Sequence, residues 1–172
     1  IGAFHLTPQL LSEFLPDLSA PQLRDLAPVL YATKKKFKES EQPLTLKDII
    51  EAVAASEIRD NSKGALLAWL SELRNFRLIG SRDAPNLKRT LLPGKLTVID
   101  FSQITQLKKK QMLVAYLGRK MFNLRRKKEL PPFLLIVEEA HNFAPEKVEK
   151  RGAISRSIIE TIAREGRKFG AS

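Results

Sequence analysis

Residues 131 to 141 read Pro-Pro-Phe-Leu-Leu-Ile-Val-Glu-Glu-Ala-His, an apolar run that begins after two prolines and stops on two adjacent carboxylates. A run fenced by proline on one side and charge on the other predicts a strand buried on both faces, of the kind found in a parallel sheet covered by helices. Parallel strands need a long crossover connection, so the run predicts an α/β fold around it. A second run, Lys95-Leu96-Thr97-Val98-Ile99-Asp100, has the same character: β-branched residues that end on an acid. Between the two, Leu107 to Lys128 reads as a helix. Strand, helix, strand, helix then predicts a right-handed βαβ unit, with Ser155 to about Lys168 as the closing helix and Gly170 just beyond it. Two strands do not make a stable sheet by themselves, so the remainder is expected from outside these residues.

Functional groups collect at the carboxyl ends of parallel strands, and Glu138 and Glu139 stand at such an end. In a nucleotide-hydrolysing fold one acid there helps hold Mg²⁺ through water while its neighbour polarises the attacking water. In an ordinary connection the same pair merely opens the next helix, where negative charge is favourable. The pair alone leaves both readings open. Asp100 also ends a predicted strand, but Asp100-Phe101-Ser102-Gln103 has the form of a helix cap, the reading preferred here.

The residues before this region are of another kind. Thr7-Pro8 is an N-cap with proline at the first helical position, and Ser19-Ala20-Pro21-Gln22 has the form of a capping box. Thr45 opens a segment in which Leu46, Ile49, Ile50 and Val53 recur at helical spacing, and a further helix is predicted from about Lys63 to Leu78. Pro28 is expected to break or restart the second helix, and Glu39 to Pro43 to form a loop. The expectation is a small helical bundle over 1–80, a connection over 81–94 and the strand-bearing part over 95–172.

Thirty Lys and Arg against nineteen Asp and Glu give a formal charge of +11 and a pI near 10.0, which points to a polyanionic partner, nucleic acid first. No apolar stretch approaches the roughly 20 residues that span a bilayer, and no signal-peptide pattern opens the chain, so no membrane is expected and a cytoplasmic location is. The absence of cysteine excludes disulfides and thiolate chemistry, and with His5 and His141 alone a structural zinc site is not expected. A phosphate-cradling loop would read Gly, four residues, Gly-Lys-Ser/Thr; Gly94-Lys95-Leu96 has neither the first glycine nor the hydroxyl.

The acidic run continuing into His141-Asn142-Phe143-Ala144-Pro145, followed by Ile162-Ala163-Arg164-Glu165-Gly166-Arg167-Lys168-Phe169-Gly170 and preceded by Thr97-Val98-Ile99-Asp100-Phe101-Ser102, resembles the HerA branch of the HerA/FtsK superfamily. These are ring-forming, RecA-like DNA-translocating ATPases of archaea and bacteria that act in DNA end processing. The resemblance lies in residues 95–172; residues 1–80 would match the helical part that precedes this piece of the core by position and character only. It implies a partial RecA-like P-loop NTPase core, ATP and Mg²⁺ as cofactors, double-stranded DNA as partner, a homo-hexamer and a nuclease partner. The chain would be a fragment, with the phosphate-binding loop before Ile1.

On that resemblance Glu138 takes the magnesium-side place and Glu139 that of the water-orienting base. His141 either senses the γ-phosphate or bonds the loop backbone. Arg164 and Arg167, three apart on one expected helix face, could reach one anion together or could pair with Glu160 or Glu165. The resemblance places an arginine finger in this block, with Arg164 preferred and Arg167 second. Lys147, Lys150 and Arg151, in the loop after the acidic strand, are candidates for DNA contact. The all-basic stretch Leu107 to Lys128 could serve phosphate backbone, a partner protein or the ring exterior, and a solvated face is the reading preferred. The rival class is a non-enzymatic basic DNA-binding module with Lys63 to Ile79 as the recognition helix of a helix-turn-helix, or a protein-interaction module.

Overall fold

Local capping chemistry places the helices of the first half. In the computed structural model, which describes residues 1–145 and 153–172, the Thr7 hydroxyl accepts from the Leu10 amide at 3.1 Å, and Pro8 opens α1 (Pro8–Phe14). Ser19 and Gln22 complete a reciprocal capping box, 3.4 and 2.8 Å, at the head of α2 (Ala20–Glu39). Thr45 and Asp48 do the same, 3.4 and 2.7 Å, for α3 (Leu46–Ala54). Each such cap stabilises its helix by about 1 kcal/mol. The fourth helix, α4 (Asp60–Asn75), begins at Asp60 without a side-chain cap.

Pro28 does not break α2, contrary to expectation. Pro28 and Arg24, whose carbonyl loses its donor four residues on, are both exposed, so solvent can satisfy that carbonyl. On the opposite side Leu26 and Leu30 are fully buried, and that packing carries the helix through.

The chain divides into two compact units, Ile1–Ala84 and Pro85–Ser172. The first is closed by its own beginning: the Ala3 amide donates to the Gly80 carbonyl at 2.8 Å and the Gly80 amide to that of Ile1 at 2.9 Å. Its core consists of Leu11, Phe14, Leu26, Leu30, Ile49, Val53, Leu66, Leu70 and Leu73.

The second unit holds α5 (Leu87–Thr90), α6 (Leu107–Arg126), a 3₁₀ turn at Ala140–Asn142, α7 (Arg156–Glu165) and a 3₁₀ turn at Gly166–Phe169. α6 and α7 pack closely where a Cβ on Gly118 would lie 3.3 Å from Ile158 Cγ1 and 3.8 Å from Ile162 Cδ1, and Met112, Ala115 and Met121 of α6 are buried with Ile158 and Ile162 of α7. Thus Gly118 sets the helix separation.

The expected α/β architecture is not found. Among the described residues there is no strand, only isolated parallel bridges at Gly2–Gly80 and Phe133–Ala171, so the chain does not form a partial RecA-like core with parallel strands. Lys95 to Asp100 takes no regular structure, and Leu96 and Val98 are 88% and 75% exposed. Phe133 to Val137 is extended enough to exchange three hydrogen bonds with 170–172, Phe133 N to Gly170 O, Leu135 N to Ser172 O and Ser172 N to Phe133 O, yet Leu134 and Ile136 stay 71% and 73% exposed. The physical reason is that an apolar run of this kind becomes a strand by pairing on its edges and by having layers on both faces. Here Phe133 to Leu135 pairs only with the short stretch 170–172, and no sheet forms around either run among the described residues. Residues expected to be covered on both faces are therefore half covered, alternately in and out.

Candidate functional site

The acidic residues lie on a tight turn rather than at the end of a strand. Glu138 and Glu139 are exposed, and Glu139 adopts the left-handed conformation, φ 51°, as the residue that opens the 3₁₀ turn Ala140–Asn142. Its carbonyl accepts from the Asn142 amide at 2.9 Å. A non-glycine residue in that region costs about 1–2 kcal/mol, so the surroundings must hold it. Gln111 of α6 donates to the Asn142 carbonyl at 2.7 Å, and Ser155, fully buried, donates to the Phe143 carbonyl at 2.8 Å. Arg156 of α7 donates to the Pro145 carbonyl at 3.0 Å and to Glu160 at 2.6 Å. Three side chains, from α6, α7 and the residue before α7, thus clamp the backbone behind the acids and leave the carboxylates open in front. The sequence does not announce these three, because a bond between residues 31 or 12 apart leaves no local signature.

A conformational prediction arises here. Glu139→Val, β-branched and ill suited to positive φ, is expected to lower stability by about 1–2 kcal/mol, whereas Glu139→Gly is expected to leave it unchanged within about 1 kcal/mol. Urea denaturation of the two variants checks this.

His141 Nδ1 lies 3.6 Å from Glu139 Oε2, so the structure joins two of the candidate residues. Arg164, in the last turn of α7, is exposed and sits 3.5 Å from the carboxylate of Glu165. Arg167 lies beyond the end of α7, in the 3₁₀ turn Gly166–Phe169, so the two arginines do not share a helix face as expected. The helix ends there because the backbone doubles back: a Cβ on Gly166 would lie 2.3 Å from the Ala171 carbonyl oxygen, a contact only glycine permits. Lys147, Lys150 and Arg151 lie outside the described residues.

Asp100 accepts from the Ser102 amide at 2.7 Å and from its hydroxyl at 3.1 Å. These bonds, with Lys110 nearby, hold its carboxyl below the usual aspartate range. It closes a local turn, and α6 begins only at Leu107, so it caps no helix.

Among the described residues no group of three or more His, Asp and Glu could hold a metal ion directly. A hydrated Mg²⁺ needs fewer protein ligands, and exposed Glu138 presents the hard carboxylate oxygen that ion takes. The acidic side of a nucleotide site fits these residues; a triphosphate cradle of the glycine-lysine type has no counterpart in the sequence.

Of the helix-turn-helix alternative, Lys63 to Ile79, the structure places residues 63–75 in α4 and the rest beyond its end. Within that range Arg74 and Arg77 are exposed and Lys63 is half-buried, while Ala65, Trp69 and Glu72 line a shallow depression. Among the described residues no helix is long and apolar enough to cross a membrane.

No protein-family profile matches the chain. Over 169 residues it is 28% identical to the DNA double-strand break repair helicase HerA of Pyrococcus furiosus, an alignment that takes in 80% of this chain and 29% of that protein. The chain spans less than a third of its relative's length.

Proposed function

We propose that the chain is part of an ATP-driven translocase acting on double-stranded DNA in end processing and repair, built as a homo-hexameric ring and working with a nuclease. The observation that carries this reading is the distant likeness to the Pyrococcus furiosus repair helicase along most of the chain. The formal charge of +11 agrees with a polyanionic partner.

In this reading Glu138 holds hydrated Mg²⁺, which supplies charge neutralisation at the phosphates when nucleotide is bound. Glu139 accepts a proton from the attacking water. Its carboxylate is exposed, at the head of the clamped 3₁₀ turn. His141, 3.6 Å from that carboxylate, senses the γ-phosphate. Arg164, exposed at the end of α7, reaches the nucleotide of a neighbouring subunit, with Arg167 as the second candidate. Lys147, Lys150 and Arg151 contact DNA.

The chain by itself is expected to show no ATP turnover near about 1 per second, the lower range for enzymes of this kind, since its sequence holds no Gly-x₄-Gly-Lys-Ser/Thr motif. A polypeptide extended at its amino end to include a Gly-x₄-Gly-Lys-Ser/Thr loop is expected to hydrolyse ATP and to do so faster with duplex DNA. Turnover by the chain alone, or no DNA-dependent turnover by the extended protein, would overturn the reading.

A further inference from the structure

Arg125 joins two parts of the second unit that lie far apart in sequence. Its Nε donates to the Phe169 carbonyl at 2.5 Å and its Nη1 to the Leu130 carbonyl at 2.8 Å, so one guanidinium ties the end of α6 both to the loop after it and to the 3₁₀ turn Gly166–Phe169. The rings of Phe122 and Phe169 meet edge to face, 5.7 Å between centroids and 81° between planes. Arg126 lies across both rings, 5.9 and 5.5 Å from their centroids. α6 ends at Arg126, and Lys128 takes φ 60°, the left-handed conformation that commonly terminates a helix.

The consequence is a concentration of positive charge. Arg126, Lys127 and Lys128 on one side of the junction and Arg167 and Lys168 on the other are all exposed. Consecutive Cα atoms lie about 3.8 Å apart, so each of these residues is at most about 8 Å along the chain from Arg126 or Phe169, and Arg126 lies over the Phe169 ring. Glu129, the acid that follows the first set, is engaged by Lys88 at 2.5 Å. Cations at a helix C-terminus also offset the helix dipole, and that accounts in part for both sets, the first at the end of α6 and Arg167 and Lys168 in the turn that follows α7; it does not account for the two ends being tied together by Arg125.

We propose that this junction of α6 with the Gly166–Phe169 turn is a docking surface for the phosphate backbone of duplex DNA, separate from Lys147, Lys150 and Arg151. The choice of duplex DNA rests on the function proposed above; the surface itself rests on the junction. Phosphate contact is supplied chiefly by Lys and Arg and carries no base specificity, which suits a protein that moves along DNA of any sequence. An anionic membrane is the poorer occupant. Proteins that lie on membranes commonly add apolar side chains to their basic ones, whereas the two rings at the junction itself are covered, Phe122 buried and Phe169 half-buried beneath Arg126; the exposed Leu134 and Ile136 belong to the neighbouring run, and the vesicle arm of the test below decides what they add.

The test uses the 172-residue chain with a fluorescein-labelled duplex of about 30 base pairs, its affinity followed by anisotropy between about 50 and 200 mM salt, the range over which phosphate binding weakens measurably. The variant K127Q/K128Q/K168Q keeps Arg125 and Arg126, and thus the packing of the junction, and thermal denaturation verifies its fold. It is expected to bind about tenfold or more weakly at low salt, with the log–log salt slope reduced by about 0.9 for each phosphate no longer neutralised. The arginine version, K127R/K128R/K168R, is expected to bind as the parent does. A glutamine variant with unchanged affinity and slope, while K147Q/K150Q/R151Q loses binding, overturns the docking surface and leaves the DNA reading standing. Loss of binding to phosphatidylserine vesicles with duplex binding unchanged overturns it in favour of a lipid surface. If the glutamine variant loses duplex binding yet the extended protein has no DNA-dependent ATP turnover, the surface stands and the translocase reading falls.

Discussion

On the proposed translocase reading, Arg164→Ala in the complete protein is expected to slow ATP turnover by about 10³-fold or more while leaving assembly and ground-state nucleotide binding intact, because an arginine acting across a subunit boundary would stabilise charge that develops in the transition state. The structure supplies the control. Arg164 is exposed and its partner, Glu165, is its sequence neighbour; an exposed pair of this kind contributes about 0–1 kcal/mol, so the fold should barely register its loss. A thermal transition that stays put while turnover collapses is the signature of a functional role. Mixed rings sharpen the test. Subunits carrying Arg164→Ala with an intact phosphate loop should be partly rescued by subunits that lack the loop but keep Arg164, since each supplies what the other's interface needs. No recovery in rings shown to be mixed returns Arg164 to its pairing with Glu165 and leaves Arg167 as the candidate.

Glu139→Gln in the complete protein is expected to reduce turnover by about 10²–10⁴-fold, the usual contribution of a positioned general base, with nucleotide binding retained. The amide keeps the size of the side chain, and Gln111, Ser155 and Arg156, which hold the turn by its carbonyls, are untouched. Glu138→Gln should instead weaken Mg²⁺-dependent binding. Measuring ATP turnover beside nucleotide affinity separates the two; near-normal turnover in Glu139→Gln would show that the roles are misassigned.

What the residues alone disclose is what is decided locally. Thr7, Ser19 and Thr45 cap their helices because an N-cap needs only its own next three residues. Pro28 misleads, since the cost of proline within a helix is outweighed by Leu26 and Leu30 on the far side, and packing is not local information. The two apolar runs mislead for a related reason: hydrophobicity states that Leu96, Val98, Leu134 and Ile136 favour cover, and says nothing of whether cover is at hand. Within the candidate site the residue types are legible and their geometry is not. The left-handed Glu139, its 3.6 Å approach to His141 and the end of α7 at Gly166 all depend on how segments far apart in the chain meet.

The half-covered run Phe133 to Val137 has one further consequence. Short stretches rich in β-branched and aromatic residues, without charge, are the raw material of stacked cross-β assemblies, and here Leu134 and Ile136 present their side chains to solvent. Pro131 and Pro132 before the run and Glu138 and Glu139 after it act as gatekeepers, the prolines by withholding amide donors and the glutamates by mutual repulsion when copies stack in register. The two acids therefore oppose such stacking as well as serving the proposed chemistry, and neutralising both at once is expected to promote aggregation in addition to any loss of turnover.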